Sequence, residues 1–190
     1  MPRKDHRWYH TMWNTYCSWL PGDPRGFRNR HHRIHSNGDY KNPPPPGEHA
    51  GLHRYNQRQT SKPITLDQPV RKRIAESMAE LLLHRGIRFN AITICRLHAH
   101  LLVELPTSKD KYKPIITKLK TSSSAAVRDV LPGRVWQRGD TTKPINDKRY
   151  QRAAFEYIAY KQERGAFVLT FHDFPDQQLA LQRGEEAKPK

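Results

Sequence analysis

The sequence predicts an α+β fold in which helices pack on one face of a largely antiparallel sheet. Segments with strand and helix periodicity follow one another as strand, insertion, helix, strand pair, helix, short strand, helix and strand. The chain has 190 residues, which suits one domain that is large enough to bury a core.

The first strand is predicted over residues 7–20, which are rich in aromatic and β-branched side chains. Residues 25–62 are predicted to form a basic insertion loop rich in His and Pro, because they hold few apolar residues and the run PPPP. We therefore expect residues 1–24 to supply the first strand of the domain and residues 63–175 to supply the remainder. Residues 176–190 are expected to form a flexible tail.

Periodicity places the remaining elements as helix 67–85, two strands within 88–105, helix 114–130, short strand 135–138, helix 147–164 and strand 166–171. Asp67 is expected to cap the first of these helices and Gly86 to end it. Pro114 is expected in the first turn of the second helix, and Asn146 is expected to cap the third.

The net charge of +16 and the pI of about 10.1 point to a polyanionic partner, most simply nucleic acid. A membrane surface also attracts such a charge, but no segment has the roughly 18 apolar residues of a spanning helix. The first residues contain no apolar run typical of a secretory signal. The two isolated cysteines, Cys17 and Cys95, favour burial in a reducing compartment, so we expect an intracellular protein.

His98 and His100 form an H-x-H pattern within an apolar segment. Because residues two apart in a strand point to the same face, both imidazoles are expected to project together. Two neutral imidazoles at that spacing can bind one divalent cation. Because the pattern is short and common, taken alone it favours two histidines on the solvent-exposed face of a strand.

The helix expected over 147–164 carries Tyr150 and Tyr157 on one stripe with Ala153, Ala154 and Ile158. Taken alone, this stripe favours a core face that contains two tyrosines. A tyrosine can also attack phosphorus when a metal polarises the phosphate.

Two further groups of residues are ambiguous. The tryptophans can stack on unpaired bases, although a Trp in a strand more often belongs to the core. His31, His32, His35 and Asp39 can bind a metal or phosphates, but their spacing matches no zinc motif, and a solvated basic loop is the simpler interpretation.

The order of these features resembles the HUH single-tyrosine transposases, especially the REP-associated relatives of the single-strand insertion-sequence transposases. The resemblance rests on RLHAHLLV at 96–103, WQR at 136–138, EYIAYKQERGAFV at 156–168 and YCSWLPG at 16–22. It covers roughly residues 7–24 and 67–170, and it does not account for the insertion.

The resemblance implies a ferredoxin-like sheet, a homodimer and a divalent metal, Mg²⁺ or Mn²⁺, bound by His98 and His100. It implies Tyr157 as the nucleophile that cleaves and rejoins hairpin-forming single-stranded DNA through a 5′-phosphotyrosine. It also implies action in the bacterial cytoplasm, at the nucleoid when bound to DNA.

The sequence departs from the family four residues after the tyrosine, where Gln or Asn is usual and often taken as a third metal ligand. Lys161 occupies this position and cannot coordinate while protonated. Gln162 is one residue further on, which on a helix turns the side chain by about 100°. Gln162 is the candidate third ligand through a local distortion; the alternatives are that another group supplies this ligand or that the metal binds weakly. Tyr160 and Tyr150 are alternative nucleophiles.

Basic residues in the second helix, the insertion and the WQR segment are predicted to hold DNA: Lys111, Lys113, Lys118, Lys120, Arg25, Arg28, Arg30 and Arg138. Three other functions are compatible with the sequence. They are a DNA-hairpin binding protein that does not cleave, a metal hydrolase built on His31–His35, and an RNA-binding protein on a similar sheet.

Overall fold

The computed structural model describes residues 2–27 and 45–174. Five antiparallel strands form one sheet in the order β4-β1-β3-β2-β5. The strands are β1 (His6–Asn14), β2 (Phe89–Ile94), β3 (His98–Pro106), β4 (Thr141–Pro144) and β5 (Phe167–Thr170). The helices are α1 (Ala50–Gln59), α2 (Gln68–His84), α3 (Lys109–Ala125) and α4 (Lys148–Tyr160), and a 3₁₀ turn follows at Phe171–Asp173.

The path β1-α2-β2-β3-α3-β4 with strand order 4-1-3-2 is the ferredoxin-like arrangement. The fifth strand extends this sheet beside β2. The predicted α+β class and ferredoxin-like sheet are therefore confirmed.

One face of the sheet packs on α2 and α3. Alternate residues of β3, namely Leu101, Val103 and Leu105, are fully buried in this core together with Ile74 of α2. Asp67 caps α2, since its side chain accepts a hydrogen bond from the Val70 amide at 3.0 Å.

The opposite face packs on α4. Ala154 and Ile158 of this helix form a smaller buried cluster with Leu102, Ala91 and Trp8. The expectation that the helices share one face is therefore correct for α2 and α3 and wrong for α4. The stripe in its sequence is real, but it packs against the second face.

Several element boundaries differ from the sequence prediction, and the first strand ends at Asn14 rather than at residue 20. Helix α3 begins at Lys109, so Pro114 lies inside the helix rather than in its first turn. Helix α4 ends at Tyr160 instead of reaching residue 164. Asp147, rather than Asn146, caps α4 by accepting a hydrogen bond from the Tyr150 amide at 2.7 Å.

The short strand expected over 135–138 is reduced to one isolated bridge between Thr15 and Trp136. The strand that completes the ferredoxin-like sheet is instead Thr141–Pro144, which pairs with β1. Its residues are mostly exposed and polar because they lie on the sheet edge, so they lack the apolar alternation by which a strand is recognised.

The segment expected to be an insertion loop contains helix α1. Gly22 lies against the backbone of His53 in α1, and the Asn56 side chain donates to the Pro21 carbonyl at 3.3 Å. The end of the segment is thus docked on the turn that follows β1. Residues 28–44 and the expected tail at 176–190 lie outside the described residues, and the domain boundaries remain predictions.

Both cysteines are free and buried, as the sequence indicates. In the part of the chain that the structure describes, no helix has the length and apolar character needed to cross a membrane.

Candidate active site

A groove of about 840 Å³ opens on the α4 face of the sheet, beside the ends of β1 and β3. Below, the groove means the cavity lined by His10, Met12, Asn14, Ser18, Trp19, Arg25, Arg96, Leu97, His98, His100, Thr141, Lys143, Tyr150, Tyr157 and Glu163. It brings together both histidines of the H-x-H pattern and the predicted tyrosine nucleophile.

Strand alternation places His98 and His100 on the groove face, as the sequence predicts. Their ring centroids are 4.9 Å apart and the ring planes are perpendicular. His100 is only 3% exposed, whereas His98 is half-buried at the start of the strand. A ligand in the groove therefore meets two converging imidazoles.

A third histidine, His10, comes from the neighbouring strand β1. Its Nε2 lies 3.0 Å from Nδ1 of His100, so one imidazole donates a hydrogen bond to the other. Sequence reasoning missed His10 because the contact depends on the register of β1 against β3, in which Met12 pairs with His100. The sequence does show that His10 lies two residues before Met12, so both side chains project from the same face of β1.

Burial keeps the three imidazoles neutral near pH 7. It lowers the pKa of His10 to about 4 and that of His100 to about 3. Burial also lowers the pKa of His98, although a hydrogen bond with the Gln162 side chain acts in the opposite direction. Neutral imidazole has one free lone pair, which is the form that binds metal ions.

Tyr157 of α4 faces the histidines from across the groove. Its ring centroid lies 5.5 Å from that of His100 and 6.1 Å from that of His10, and the residue is 44% exposed. Of the alternative nucleophiles, Tyr150 also lines the groove. Tyr160 is 72% exposed and packs on Phe155 instead.

Gln162 lies in the turn after α4 rather than on the helix. Its amide donates to the Tyr157 carbonyl at 2.9 Å, its oxygen accepts from the Cys95 thiol at 3.6 Å, and the side chain lies near His98. Because the helix has already ended, the 100° rotation that separates neighbouring helical residues does not apply. Lys161 is exposed, and its amide donates to the Tyr157 carbonyl at 3.2 Å.

The groove offers few donors to a metal ion. Within residues 2–27 and 45–174, no group of three or more His, Cys, Asp and Glu side chains has metal-binding geometry. The donors present are two neutral imidazoles, His98 and His100, with the amide oxygen of Gln162 beside them. This set fits a divalent ion that takes its remaining ligands from water or phosphate oxygens.

The predicted DNA-binding residues separate into three groups. Arg25 lines the groove, where its guanidinium lies 4.4 Å from the Trp19 ring centre and pairs with Asp23 at 2.6 Å. Arg138 lines a smaller adjacent cavity. None of the four predicted lysines, all of which lie in α3, lines the groove, since this helix packs on the other face.

Two of those lysines have partners within the protein. Lys113 pairs with Asp140 at 2.6 Å, and Lys120 donates to the carbonyls of Gln137 and Gly139. Lys111 and Lys118 are exposed. Arg28, Arg30 and the cluster His31, His32, His35 and Asp39 lie outside the described residues. The structure adds two groove cations that sequence reasoning missed, Arg96 and Lys143.

Together, the ferredoxin-like sheet, the paired histidines and the tyrosine helix define the class of single-tyrosine, H-x-H proteins that the sequence resembles. The family model described as "Transposase IS200 like" matches residues 53–161, more than half of the chain. The chain therefore belongs to the IS200-like transposase family, and the predicted resemblance is confirmed.

One similar solved structure is described as "Structure of the REP associates tyrosine transposase bound to a REP hairpin". The TM-score is 0.44 and the sequence identity is 12%, over 80% of this chain and 64% of that chain. This chain thus spans less than two thirds of that protein. A search of curated protein sequences finds no match.

Proposed function

We propose that this protein cleaves and rejoins single-stranded DNA through a 5′-phosphotyrosine intermediate with the help of a divalent metal. The observation that carries the proposal is the position of Tyr157, which faces the neutral pair His98 and His100 inside one open groove. Membership of a transposase family supports a reaction on DNA.

In this mechanism the Tyr157 phenol gives up its proton to solvent and its oxygen attacks the scissile phosphorus. The new bond joins the tyrosine oxygen to the 5′-phosphate, while the bond to the 3′-oxygen breaks and that oxygen takes up a proton. A 3′-hydroxyl of the same or another strand reverses the step and rejoins DNA. Because the phosphodiester energy is conserved in the tyrosine ester, no ATP is needed.

His98, His100 and the Gln162 amide oxygen are proposed to hold the metal ion. When bound, the ion supplies positive charge to the non-bridging phosphate oxygens and so stabilises the charge that develops on them. Two imidazole donors favour Mn²⁺ over Mg²⁺, since Mg²⁺ prefers a shell made entirely of oxygen.

His10 is proposed as a positioning residue for His100. The 3.0 Å bond between His10 Nε2 and His100 Nδ1 fixes the proton of His100 on Nδ1 when His10 is the acceptor. Nε2 of His100 then keeps the free lone pair. A hydrogen bond to the second ring nitrogen commonly orients metal-binding histidines in this way.

Arg25, Arg96 and Lys143 are proposed to hold the DNA backbone along the groove, with Arg138 beside it. Hairpin-forming strands as substrates, a homodimer and a place in the bacterial cytoplasm stay predictions from the resemblance. The division of the chain into a catalytic domain of residues 1–24 and 63–175, interrupted by residues 25–62, is likewise a prediction from the sequence.

The second candidate function is a DNA-hairpin binding protein that does not cleave. Lys161 favours it, because the family usually has Gln or Asn at this position. The position of Gln162 near His98 favours cleavage instead, since its amide oxygen can replace the missing family residue once it gives up its contact with the Cys95 thiol.

The two functions are separated by incubating the protein with Mn²⁺ and end-labelled single-stranded hairpin oligonucleotides. The measured quantity is a covalent protein–DNA band that survives boiling in detergent. We expect the band for the wild type and for Tyr160→Phe, a matched control on the same helix outside the groove. We expect no band for Tyr157→Phe or His98→Ala. Tight hairpin binding without a band in any variant would establish the non-cleaving function.

A further inference from the structure

Helix α1 carries cations that have no counter-charge in its own segment. The helix lies within residues 25–62, to which the family resemblance assigns no part, and none of its side chains is buried. Residues 49–66 contain two arginines, Arg54 and Arg58, and one lysine, Lys62, but no aspartate or glutamate. This stretch therefore attracts anions along its whole length.

A cavity of about 430 Å³ lies between α1 and the turn that follows β1. Ser18, Arg25 and Leu97 line both this cavity and the groove, so the two adjoin. A strand that leaves the groove past Arg25 therefore enters this second cavity directly. We call it the outer cavity, and the polar residues along its walls include Asp23, Arg25, Gln57, Ser61 and Lys62.

Helix α1 is held against the turn after β1 by close backbone contact. Gly22 has a φ of +86°, and a Cβ at this position would lie 2.5 Å from the amide nitrogen of His53. The Asn56 side chain donates to the Pro21 carbonyl at 3.3 Å, and the Thr60 hydroxyl donates to the Asn56 carbonyl at 2.8 Å. These contacts fix the position of α1 relative to the entrance of the groove.

The cations of α1 lie beside the cavity wall. His53 and Gln57, one turn apart, line the outer cavity, and Arg54 and Arg58 form the next row of the helix, rotated by about 100°. Like charges one turn apart repel each other. Among the described residues, neither arginine has an ion-pair or hydrogen-bond partner for its side chain. A bound phosphate would relieve this repulsion.

The outer cavity itself has the polarity of a phosphate site. Its carboxylate, Asp23, accepts hydrogen bonds from the Arg25 guanidinium at 2.8 and 2.6 Å, so its charge is neutralised. In the described part of the chain, the side chains of Gln57, Ser61 and Lys62 bond to no other residue. Ammonium, amide and hydroxyl groups are the donors that proteins commonly direct at phosphate oxygens.

We propose that the outer cavity and the cations Arg54, Arg58 and Lys62 hold the phosphate backbone of the strand that continues beyond the groove. This inference rests on the proposed function, because it requires a single strand in the groove. The contact is to phosphates, since no tryptophan, tyrosine or phenylalanine among the described residues lines the outer cavity to stack on bases. Helix α1 then makes affinity depend on the length of the strand and not on its sequence.

The test compares hairpin oligonucleotides that differ only in the length of their unpaired flanks. One hairpin has short flanks, and two others carry about eight further unpaired nucleotides on the 5′ side or on the 3′ side, within the range that single-strand sites cover. Fluorescence anisotropy with the full chain, in EDTA and at several salt concentrations, gives the affinity and its salt slope.

The test variant combines Arg54→Ala, Arg58→Ala and Lys62→Ala. All three side chains are exposed, and alanine favours the helix while removing the repulsion between the arginines, so the fold should be kept. Melting curves check this. The matched control removes two arginines and one lysine at exposed positions outside both cavities, through Arg85→Ala, Lys109→Ala and Arg128→Ala.

We expect the wild type to bind one extended hairpin about 10-fold or more tightly than the short-flank hairpin. The side that gives this gain identifies whether the 5′ or the 3′ strand lies on α1. The test variant should lose the gain, and its salt slope for that hairpin should fall by about 2, since each of three phosphate contacts on a single strand contributes about 0.7. The control variant should keep the gain.

Equal affinity of the wild type for short and extended hairpins would overturn the proposal. So would a gain that the test variant keeps, or one that the control variant loses to the same extent. Addition of Mn²⁺ separates this inference from the proposed function. A covalent band on the short-flank hairpin without any gain from length would support cleavage and reject the outer cavity. A gain from length without any covalent band would support the outer cavity and reject cleavage.

Discussion

The two faces of the sheet differ in what they bury. The face under α2 and α3 covers a cluster of twenty-two buried residues, nearly all apolar. The face under α4 has a cluster of only six, and it also buries His100, Thr93 and Glu104. Because the first face supplies most of the apolar burial, the second can carry buried polar groups whose desolvation costs folding free energy.

The polar residues of β3 that face α4 form two groups, one at each end of the strand. Glu104, at one end, is buried in ion pairs with Arg88 at 2.6 Å and Arg3 at 3.2 Å. His98 and His100, at the other end, face the open groove, where Glu163 and Arg25 lie near His98 without an ion pair to it. One strand thus presents an ion-paired cluster at one end and two imidazoles open to the groove at the other, on the same side of the sheet.

The largest expected effect is the loss of stability when either of two neighbouring leucines of β3 is replaced by alanine. Leu101 and Leu102 are both fully buried, but Leu101 belongs to the α2/α3 core and Leu102 to the cluster under α4. We expect either change to alanine to lower the free energy of unfolding by about 2–5 kcal/mol. Only Leu102→Ala should also increase amide exchange in α4 and reduce covalent adduct formation under conditions where the protein stays folded.

Urea unfolding, hydrogen exchange and the adduct assay together measure this contrast. If both variants lost the same amount of adduct at the same folded fraction, packing on the two faces would affect the groove equally, and the contrast would fail.

The next effect concerns the contact between β1 and β3 at the groove. His10→Phe removes the hydrogen bond to His100 and should weaken Mn²⁺ binding by about 10- to 100-fold, because the orientation and tautomer of His100 are no longer fixed. His10→Gln places an amide at about the same distance from the backbone and should recover much of the affinity. Titration calorimetry with Mn²⁺ measures both.

His6→Phe is the matched control for His10, because His6 lies on the same strand and bonds to the Lys4 carbonyl outside the groove. If His10→Phe bound Mn²⁺ as tightly as His6→Phe does, His10 would have no positioning role.

A smaller effect is expected in the pH dependence of the metal-free protein. The pKa values of His10 and His100, about 4 and about 3, are lowered by burial from 6.5, so the unfolded chain binds more protons than the folded one as the pH falls below 6.5. The free energy of unfolding should therefore fall between pH 6.5 and 4, by at most about 1.4 kcal/mol per pH unit for each histidine.

Urea unfolding at several pH values should give a shallower slope for His10→Phe than for the wild type. Parallel curves would mean that His10 is not buried in the neutral form.

The smallest effect compares lysines on the two faces. Lys143 lines the groove, whereas Lys118 is exposed on α3. Lys143→Ala should lower affinity for a single-stranded hairpin several-fold and reduce the salt slope by about 1. Lys118→Ala should change the affinity by less than about twofold. The reverse order, measured by fluorescence anisotropy at several salt concentrations, would favour the basic helix as the DNA contact.

The features that the sequence predicted well depend on local periodicity. Alternation alone places His98 and His100 on one face, and the capping residue Asp67 marks the start of α2. His10 could not be assigned, because its contact with His100 requires the pairing of strands that are far apart in sequence. The face of the sheet on which α4 packs could not be predicted either, since an apolar stripe on a helix does not indicate which face of a sheet it covers.

Other differences arise where local rules are weak. The edge strand Thr141–Pro144 lacks an apolar pattern because one side of it has no neighbour. The position of Gln162 depends on the end of α4 at Tyr160, and helix ends are poorly fixed by sequence.

The central claim is that Tyr157 is the nucleophile of a metal-dependent centre formed with His98 and His100. The most direct measurement is tandem mass spectrometry of the protein after incubation with Mn²⁺ and a single-stranded hairpin, followed by nuclease and protease digestion. The account predicts a nucleotide attached through phosphate to Tyr157, which is absent when EDTA replaces Mn²⁺. Attachment to Tyr150 or Tyr160, or no attachment while the hairpin is tightly bound, would contradict it.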